Sequence, residues 1–366
     1  MSCPKKETDL PIVDIPDVVE FESKDVNEKH VHSAVFVGKV PAAPMRISAE
    51  GRAEGIPEWD GPDYQFSLVT KLFFDDGSEF DDTHLDFSPG THGWERRERH
   101  VRARLGVTKI QVDYFFEHKK GKVAYRDLTI EEAPPRATPD RRVVLLGASN
   151  TITSYLAPED RVDAMLAGML RQARPKLKID VENAGVGGDT VKRFLETKRY
   201  ERDLLTLDRI DVIFITFGGN DSSRYDVETF TGLHRELIAR LRSDFPHAKV
   251  LLQPGTWVDY PKHYNRDMNA QFAPYFDALR GLSSEADGVL DVCELMKREA
   301  ERGNWDMRYR NNPVGKLILD DRFDAGHEDD PTWFSNIHHT PNATRLIARW
   351  TADHILENKL LSDDRT

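Results

Sequence analysis

At 366 residues the chain is long enough for two domains, and 39% hydrophobic with 31% charged residues describes a soluble globular protein rather than a disordered or membrane one. The net charge of −12 argues against nucleic acid as a partner, because a phosphate backbone needs a positive surface. Cys3 and Cys293 are the two cysteines, which leaves no disulfide framework and no cysteine-based zinc site. No apolar run approaches a membrane span, so no membrane partner is expected, and Met-Ser-Cys-Pro-Lys-Lys lacks the apolar segment of a signal peptide. The compartment stays open: secreted or periplasmic if a signal was removed, cytoplasmic otherwise.

Residues 1–20 are acidic, carry Pro4, Pro11 and Pro16, and show no helical period, as a tail does. Residues 21–133 have the texture of an antiparallel β domain. Tyr64, Phe66, Leu68, Thr70 and Leu72 alternate with Gln65, Ser67 and Lys71, as Ile110, Val112 and Tyr114 do with Lys109, Gln111 and Asp113. Such period-2 runs, broken by Asp-Gly, Pro-Gly and Lys-Gly, predict an all-β sandwich or jelly roll with one wet face. His84, His92, His100 and His118 lack metal-ligand spacing, so no metal site is expected. Gly90-Thr91-His92-Gly93-Trp94-Glu95-Arg96-Arg97 and Gly121-Lys122-Val123-Ala124-Tyr125-Arg126-Asp127-Leu128 resemble two stretches of galactose-binding-like carbohydrate-binding modules. The resemblance implies a Trp94 that meets sugar. From the residues alone, a Trp94 that fills its own core fits equally well.

Residues 134–141 form a linker, because Pro134, Pro135 and Pro139 disfavour helix and central strand alike; the domain boundary is expected near 138. Beyond it strand and helix patterns alternate. Strands are predicted at 143–148, 178–183, 211–217, 248–253 and 288–293, and helices near 158–173, 190–205, 226–244 and 264–282. Asp226 caps the third helix, whose Phe230, Leu233, Leu237 and Leu241 form one stripe. Thr340-Pro341 opens a last helix with Ala343, Leu346, Ile347 and Trp350 along one face. This alternation predicts an α/β domain whose parallel sheet is covered on both sides. Cys293 falls in an apolar run and reads as core. The polar segment 298–330 is either a surface excursion or the wall of a cleft, with Trp305, Tyr309 or Arg310 in it.

Chemistry-bearing residues collect at the predicted strand ends, where open α/β sheets place their sites. The apolar strand from Val143 runs into Gly147-Ala148-Ser149-Asn150-Thr151, so Ser149 is either a nucleophile or a helix cap. Asn183-Ala184-Gly185-Val186-Gly187-Gly188-Asp189-Thr190 opens a helix, and its glycines let backbone N–H groups approach an anion. Its spacing is not that of a dinucleotide loop, and no cofactor is expected. Gly218-Gly219-Asn220-Asp221 offers an amide at a strand end, and Ser335-Asn336-Ile337-His338-His339-Thr340-Pro341 supplies a histidine just before the last helix.

These four blocks, in this order, resemble the SGNH (GDSL-like) hydrolase family from residue 141 to the C-terminus. The resemblance implies a flavodoxin-like three-layer α/β/α hydrolase domain at 142–366 that works as a metal-independent serine esterase. By position, Ser149 is the nucleophile and His338 its base. The N–H of Gly188, the side chain of Asn220 and the N–H of Ser149 form the oxyanion hole. Asn150 and Asp221, beside them, read as substrate-binding residues. His339 is the rival base; His338 is preferred because Ile337-His338-His339-Thr340-Pro341 matches the family's Ile-His-Leu-Thr-Pro in register. Two positions depart from the pattern: Ala148 stands for the usual Asp before the nucleophile, and Ser335 for the Asp that orients the imidazole. A Ser–His dyad, a backbone carbonyl, or a carboxylate from Asp329, Asp330 or Asp259 are the open alternatives. With a carbohydrate-binding first domain, the expected substrate is a small-molecule or polysaccharide O-acyl ester, acetyl being the expected group. A short-chain lipase or thioesterase, and a catalytically degenerate glycan-binding protein, are the other readings. Oligomeric state is not legible.

Overall fold

The computed structural model describes residues 12–13, 17–25, 28–37, 44–57, 66–101, 104–117, 119–134, 137–153, 156, 158–258, 267–303, 338–339 and 341–361. The chain divides into two compact units, with the break between Ala137 and Thr138.

The first unit is built from strands β1 (Ile12–Val13), β2 (Val18–Ser23), β3 (Lys29–Val37), β4 (Met45–Ile56), β5 (Phe66–Phe74), β6 (Glu79–Asp86), β7 (Gly90–Val101), β8 (Val107–Glu117) and β9 (Gly121–Glu132). They form two sheets, in the orders β1-β3-β8-β5-β6 and β2-β9-β4-β7, paired antiparallel throughout. Alternation decides what faces inward: Ile110, Val112, Tyr114 and Phe116 of β8 are buried. Asp113 departs from the expected wet face. It is also buried, where its carboxylate accepts from Ser33 and Gln111 and pairs with Lys71 at 3.4 Å. Tyr125 of β9 joins the sheets, its ring against Phe66 and Tyr114 and its hydroxyl donating to the Phe115 carbonyl at 2.6 Å. Trp94 on β7 is not in this core. It is half-buried, with the guanidinium groups of Arg126 and Arg52 at 4.2 and 5.0 Å from its ring, so the core-filling alternative fails.

The second unit holds a sheet of β10 (Arg141–Gly147), β11 (Ile179–Asn183), β12 (Val212–Thr216), β13 (Lys249–Leu252) and β14 (Gly288–Val289). Its order is β11-β10-β12-β13-β14, every pair parallel. In chain order this is 2-1-3-4-5, the flavodoxin-like winding, with the topological switch between β10 and β12.

Successive strand residues feed opposite layers. Val144, Leu146, Ile213 and Ile215 pack with Val191 and Phe194 of α3 (Val191–Glu196), Phe230 and Leu237 of α5 (Val227–Asp244), and Phe272 and Phe276 of α6 (Met268–Gly281). Val143, Leu145 and Phe214 pack with Leu166 and Leu170 of α2 (Val162–Ala173), Met296 of α7 (Val292–Glu301), and Ala343 and Ile347 of α8 (Pro341–Glu357). Each fully buried aliphatic side chain of this kind contributes about 1.5–3 kcal/mol. Among the described residues no helix is long and apolar enough to cross a membrane.

Two expected elements differ. The helix expected over 190–205 is split into α3 and α4 (Arg199–Asp203), with Thr197 extended between them. The break aims the buried Arg199 guanidinium at Asp189, Asp203 and the Ala184 carbonyl. The strand expected over 288–293 stops at Val289, because the Asp291 side chain accepts from Glu294 N–H and caps α7. Its Asp-x-x-Glu signal was in the sequence beneath an apolar run. Cys293 accordingly lies on α7, half-buried, where burial pushes its thiol up to about 11.

Candidate active site

The strand β10 ends at Gly147, where nothing larger fits: a Cβ would lie 2.0 Å from Thr151 Oγ1 and 2.9 Å from the Thr216 carbonyl. The chain turns at Ala148 into a single helical turn, α1 (Ser149–Ile152), whose closing Thr153 adopts φ 47°. Ser149 thus stands at the carboxyl end of β10, beside the topological switch.

The loop after β11 presses against this turn. A Cβ on Gly185 would meet Ile152 N at 2.6 Å. Asn183 ties the two together: its amide donates to the Thr151 carbonyl at 2.7 Å and to Asp163 at 3.0 Å, while its oxygen accepts from Gly185 N–H at 3.0 Å. Further along, Gly188 is exposed with φ +71°, a conformation that suits glycine. Asp189 is fully buried and ion-paired with Arg199. Burial raises its carboxyl above the usual range, against the pull of Arg199, Arg193 and Arg224.

Beyond β12, the Asn220 amide donates to the Asp189 carbonyl at 3.0 Å, which fixes its side chain next to the glycine loop. Asp221 does not face the cleft, which corrects its expected contact with substrate. Its side chain is fully buried and its two oxygens accept from Val191 N–H and Gly218 N–H, both at 3.0 Å. Burial pushes this carboxyl up to about 6. A short acid at a strand end is drawn under the loops by donors there, and sequence position alone did not distinguish that from a contact with substrate.

Three residues before α8, His338 places Nε2 3.1 Å from Ser149 Oγ. With that nitrogen unprotonated, the hydroxyl donates to it. His339 is buried, does not line the cleft, and is pushed down to about 3 by burial. The structure therefore brings Ser149, Asn150, Asn220 and His338 to one cleft of about 410 Å³. Asn150 donates to Thr256 Oγ1 at 3.3 Å. Trp94 belongs to the other unit. Ser335, Asp329, Asp330, Asp259, Trp305, Tyr309 and Arg310 lie outside the described residues.

Sequence reasoning missed part of this lining: Thr256 after β13, Arg224 after Asn220, and Met268, Gln271 and Phe272 on α6. Thr256 was findable, since it follows a strand end in the same sheet. The α6 residues were not, because helical periodicity does not say which end of a face overhangs the site. Among the described residues no group of three His, Cys, Asp or Glu could hold a metal ion.

The model of the GDSL-like Lipase/Acylhydrolase family matches residues 145–341. Among solved structures, a lipase/acylhydrolase of Enterococcus faecalis is 19% identical over 60% of this chain and 96% of that one, with a TM-score of 0.43. An acetylxylan esterase of Geobacillus stearothermophilus is 16% identical over 63% and 98%, with a TM-score of 0.42. A Bacillus subtilis protein is 12% identical over 94% and 88%, with a TM-score of 0.45. No curated protein matches the chain.

Proposed function

Because this chain belongs to the GDSL-like lipase/acylhydrolase family and is an ester-bond hydrolase, we propose that it is a serine esterase acting on O-acyl groups through Ser149 and His338. The observation that carries the reading is the 3.1 Å approach of His338 Nε2 to Ser149 Oγ across the mouth of the cleft. Ser149 Oγ attacks the ester carbonyl while His338 Nε2 takes its proton. The charge that forms on the carbonyl oxygen meets the Asn220 amide and the N–H groups of Gly188 and Ser149. Collapse breaks the bond to the alcohol, which leaves with the proton from His338. Water then attacks the acyl-serine and gives a proton to His338; collapse breaks the bond to Ser149 Oγ, which takes that proton back from His338 as the acid is released.

On this reading the substrate is an O-acetylated sugar or polysaccharide, supported by the sequence resemblance of the first unit to carbohydrate-binding modules. Ser149→Ala tests the centre: it should abolish both p-nitrophenyl acetate hydrolysis and labelling by a fluorophosphonate, whereas unchanged turnover would end the assignment. A short-chain lipase or thioesterase is favoured by one observation, the apolar wall of Phe217, Met268, Phe272 and Phe276 in a cleft roomier than acetyl needs. A series of p-nitrophenyl esters from acetate to octanoate separates the two: rates that climb with chain length favour the lipase.

A further inference from the structure

The cleft wall carries a charge of unexpected sign. The chain has 63 acidic against 51 basic residues, yet no Asp or Glu stands among the described residues that line the cleft, and Arg224 does. Arg224 sits four residues beyond Asn220, at the end of the short 3-10 turn Asp221–Ser223, where its N–H donates to the Asp221 carbonyl at 2.9 Å. Its side chain is exposed, and among the described residues its guanidinium makes no direct hydrogen bond or ion pair, acting only at longer range on the buried Asp189 carboxylate.

The carboxylates closest in sequence are committed elsewhere. Asp221 is spent on two backbone N–H groups, Asp189 on Arg199, and Asp226 on capping α5 through Thr229 N–H. Two further basic residues, on α3, are each already paired with an acid, Lys192 with Glu196 at 3.5 Å and Arg193 with Asp189. Lys192 stands over the Tyr225 ring at 5.6 Å, and Arg193 lies 3.9 Å from buried Asp189 with its own side chain 44% exposed. Beside Arg224 the lining is polar, with Ser223 and Gln271; the rest of α6 offers Met268, Phe272 and Phe276, none of which recognises charge.

A guanidinium presents five N–H donors in a planar fork that matches a carboxylate with two parallel hydrogen bonds. We propose that Arg224 is a specificity-determining residue that selects esters carrying a carboxylate close to the scissile bond. This rests on the cleft around Ser149 and His338 being the active site. The carboxylate belongs either to the alcohol half, as in an acetylated uronic acid, or to the acyl half, as in a dicarboxylic half-ester.

Two matched pairs of esters separate these sources in the full-length enzyme. For the alcohol half, 4-acetoxybenzoate is compared with its neutral methyl ester. For the acyl half, mono-p-nitrophenyl adipate is compared with p-nitrophenyl hexanoate. In one of the two pairs the wild type is expected to favour the anionic ester in kcat/KM by about tenfold, mainly through KM. Arg224→Gln should bring that ratio close to unity and Arg224→Glu should invert it. Raising the salt from about 0.05 to about 0.5 M should shrink the wild-type ratio. A wild type without anionic preference in either pair, or an Arg224→Gln variant that keeps the preference, overturns the proposal. Hydrolysis of the neutral esters, and its loss in Ser149→Ala, reports separately on the active site. A missing preference on top of that activity therefore counts against Arg224 alone.

Discussion

Asn220 donates its side-chain amide to the main-chain carbonyl of Asp189 at 3.0 Å, which links the end of β12 to the glycine loop that follows β11. The Asp189 side chain is itself locked by Arg199, and Arg199 also holds the Ala184 carbonyl at 2.8 Å. A donor held this way does not need to reorganise when charge develops on a substrate oxygen, which is the condition for an effective oxyanion hole. Asn220→Ala is expected to lower kcat by about 10²–10³ with a much smaller change in KM. Steady-state kinetics on p-nitrophenyl acetate measures both, and a variant within twofold of wild type would remove Asn220 from the oxyanion hole.

Asn183 contacts no substrate on the proposed reading, yet it bridges the turn that carries Ser149 to the loop that carries Gly188. Its three hydrogen bonds reach Thr151, Asp163 and Gly185. Removing its side chain leaves those partners unsatisfied at a cost of about 1–3 kcal/mol. Asn183→Ala is therefore expected to lower both stability and kcat, since a shift of ~1 Å at a reacting group costs as much as 10²-fold in rate. Urea unfolding and kcat on the same preparation would check it. A fall in stability with kcat intact would mean that the nucleophile turn is held by other contacts.

Acid should weaken the second unit through two buried histidines. Burial pushes His234 down to about 4 and His339 down to about 3, from an ordinary 6.5. His234 lies in the core, its Nδ1 bonded to the Phe230 carbonyl at 3.0 Å and its ring 4.2 Å from that of Phe230. A histidine whose folded value is depressed is protonated first in the unfolded chain. Its contribution is then complete above about 6.5 and is lost as the pH falls toward the folded value. Stability is expected to drop between pH 7 and 5, and a His234→Phe variant should lose about 2 kcal/mol less over that interval. Urea midpoints of both proteins at the two pH values are the measurement. Parallel losses would show that His234 is not protonated on unfolding in this range.

The elements of the second unit were legible along the chain because their signals are local. The Asp226 cap and the Phe230, Leu237 and Leu241 stripe predict α5 to within a residue, and a side-chain hydrogen bond from Thr229 N–H closes that cap. Where two local signals compete, as at Asp291, the stronger apolar pattern hid the helix start. At Thr197 no local signal marked the break, which goes with a pairing of Arg199 and Asp189 that lie ten positions apart.

By itself the sequence determined which residue types stand at which strand ends, and with them the parallel sheet and the family. Those properties follow from periodicity, caps and short motifs, which act over a few residues. Only the tertiary structure decided that His338, 189 positions from Ser149, is the imidazole within reach of its hydroxyl. Only there does Asp221 turn under the loops and Arg224 stand in a cleft wall that holds no Asp or Glu among its described residues. The physical reason is common to all three. A side chain's direction at a loop is set by donors and space that distant segments provide, and those segments meet only when the sheet has brought them together.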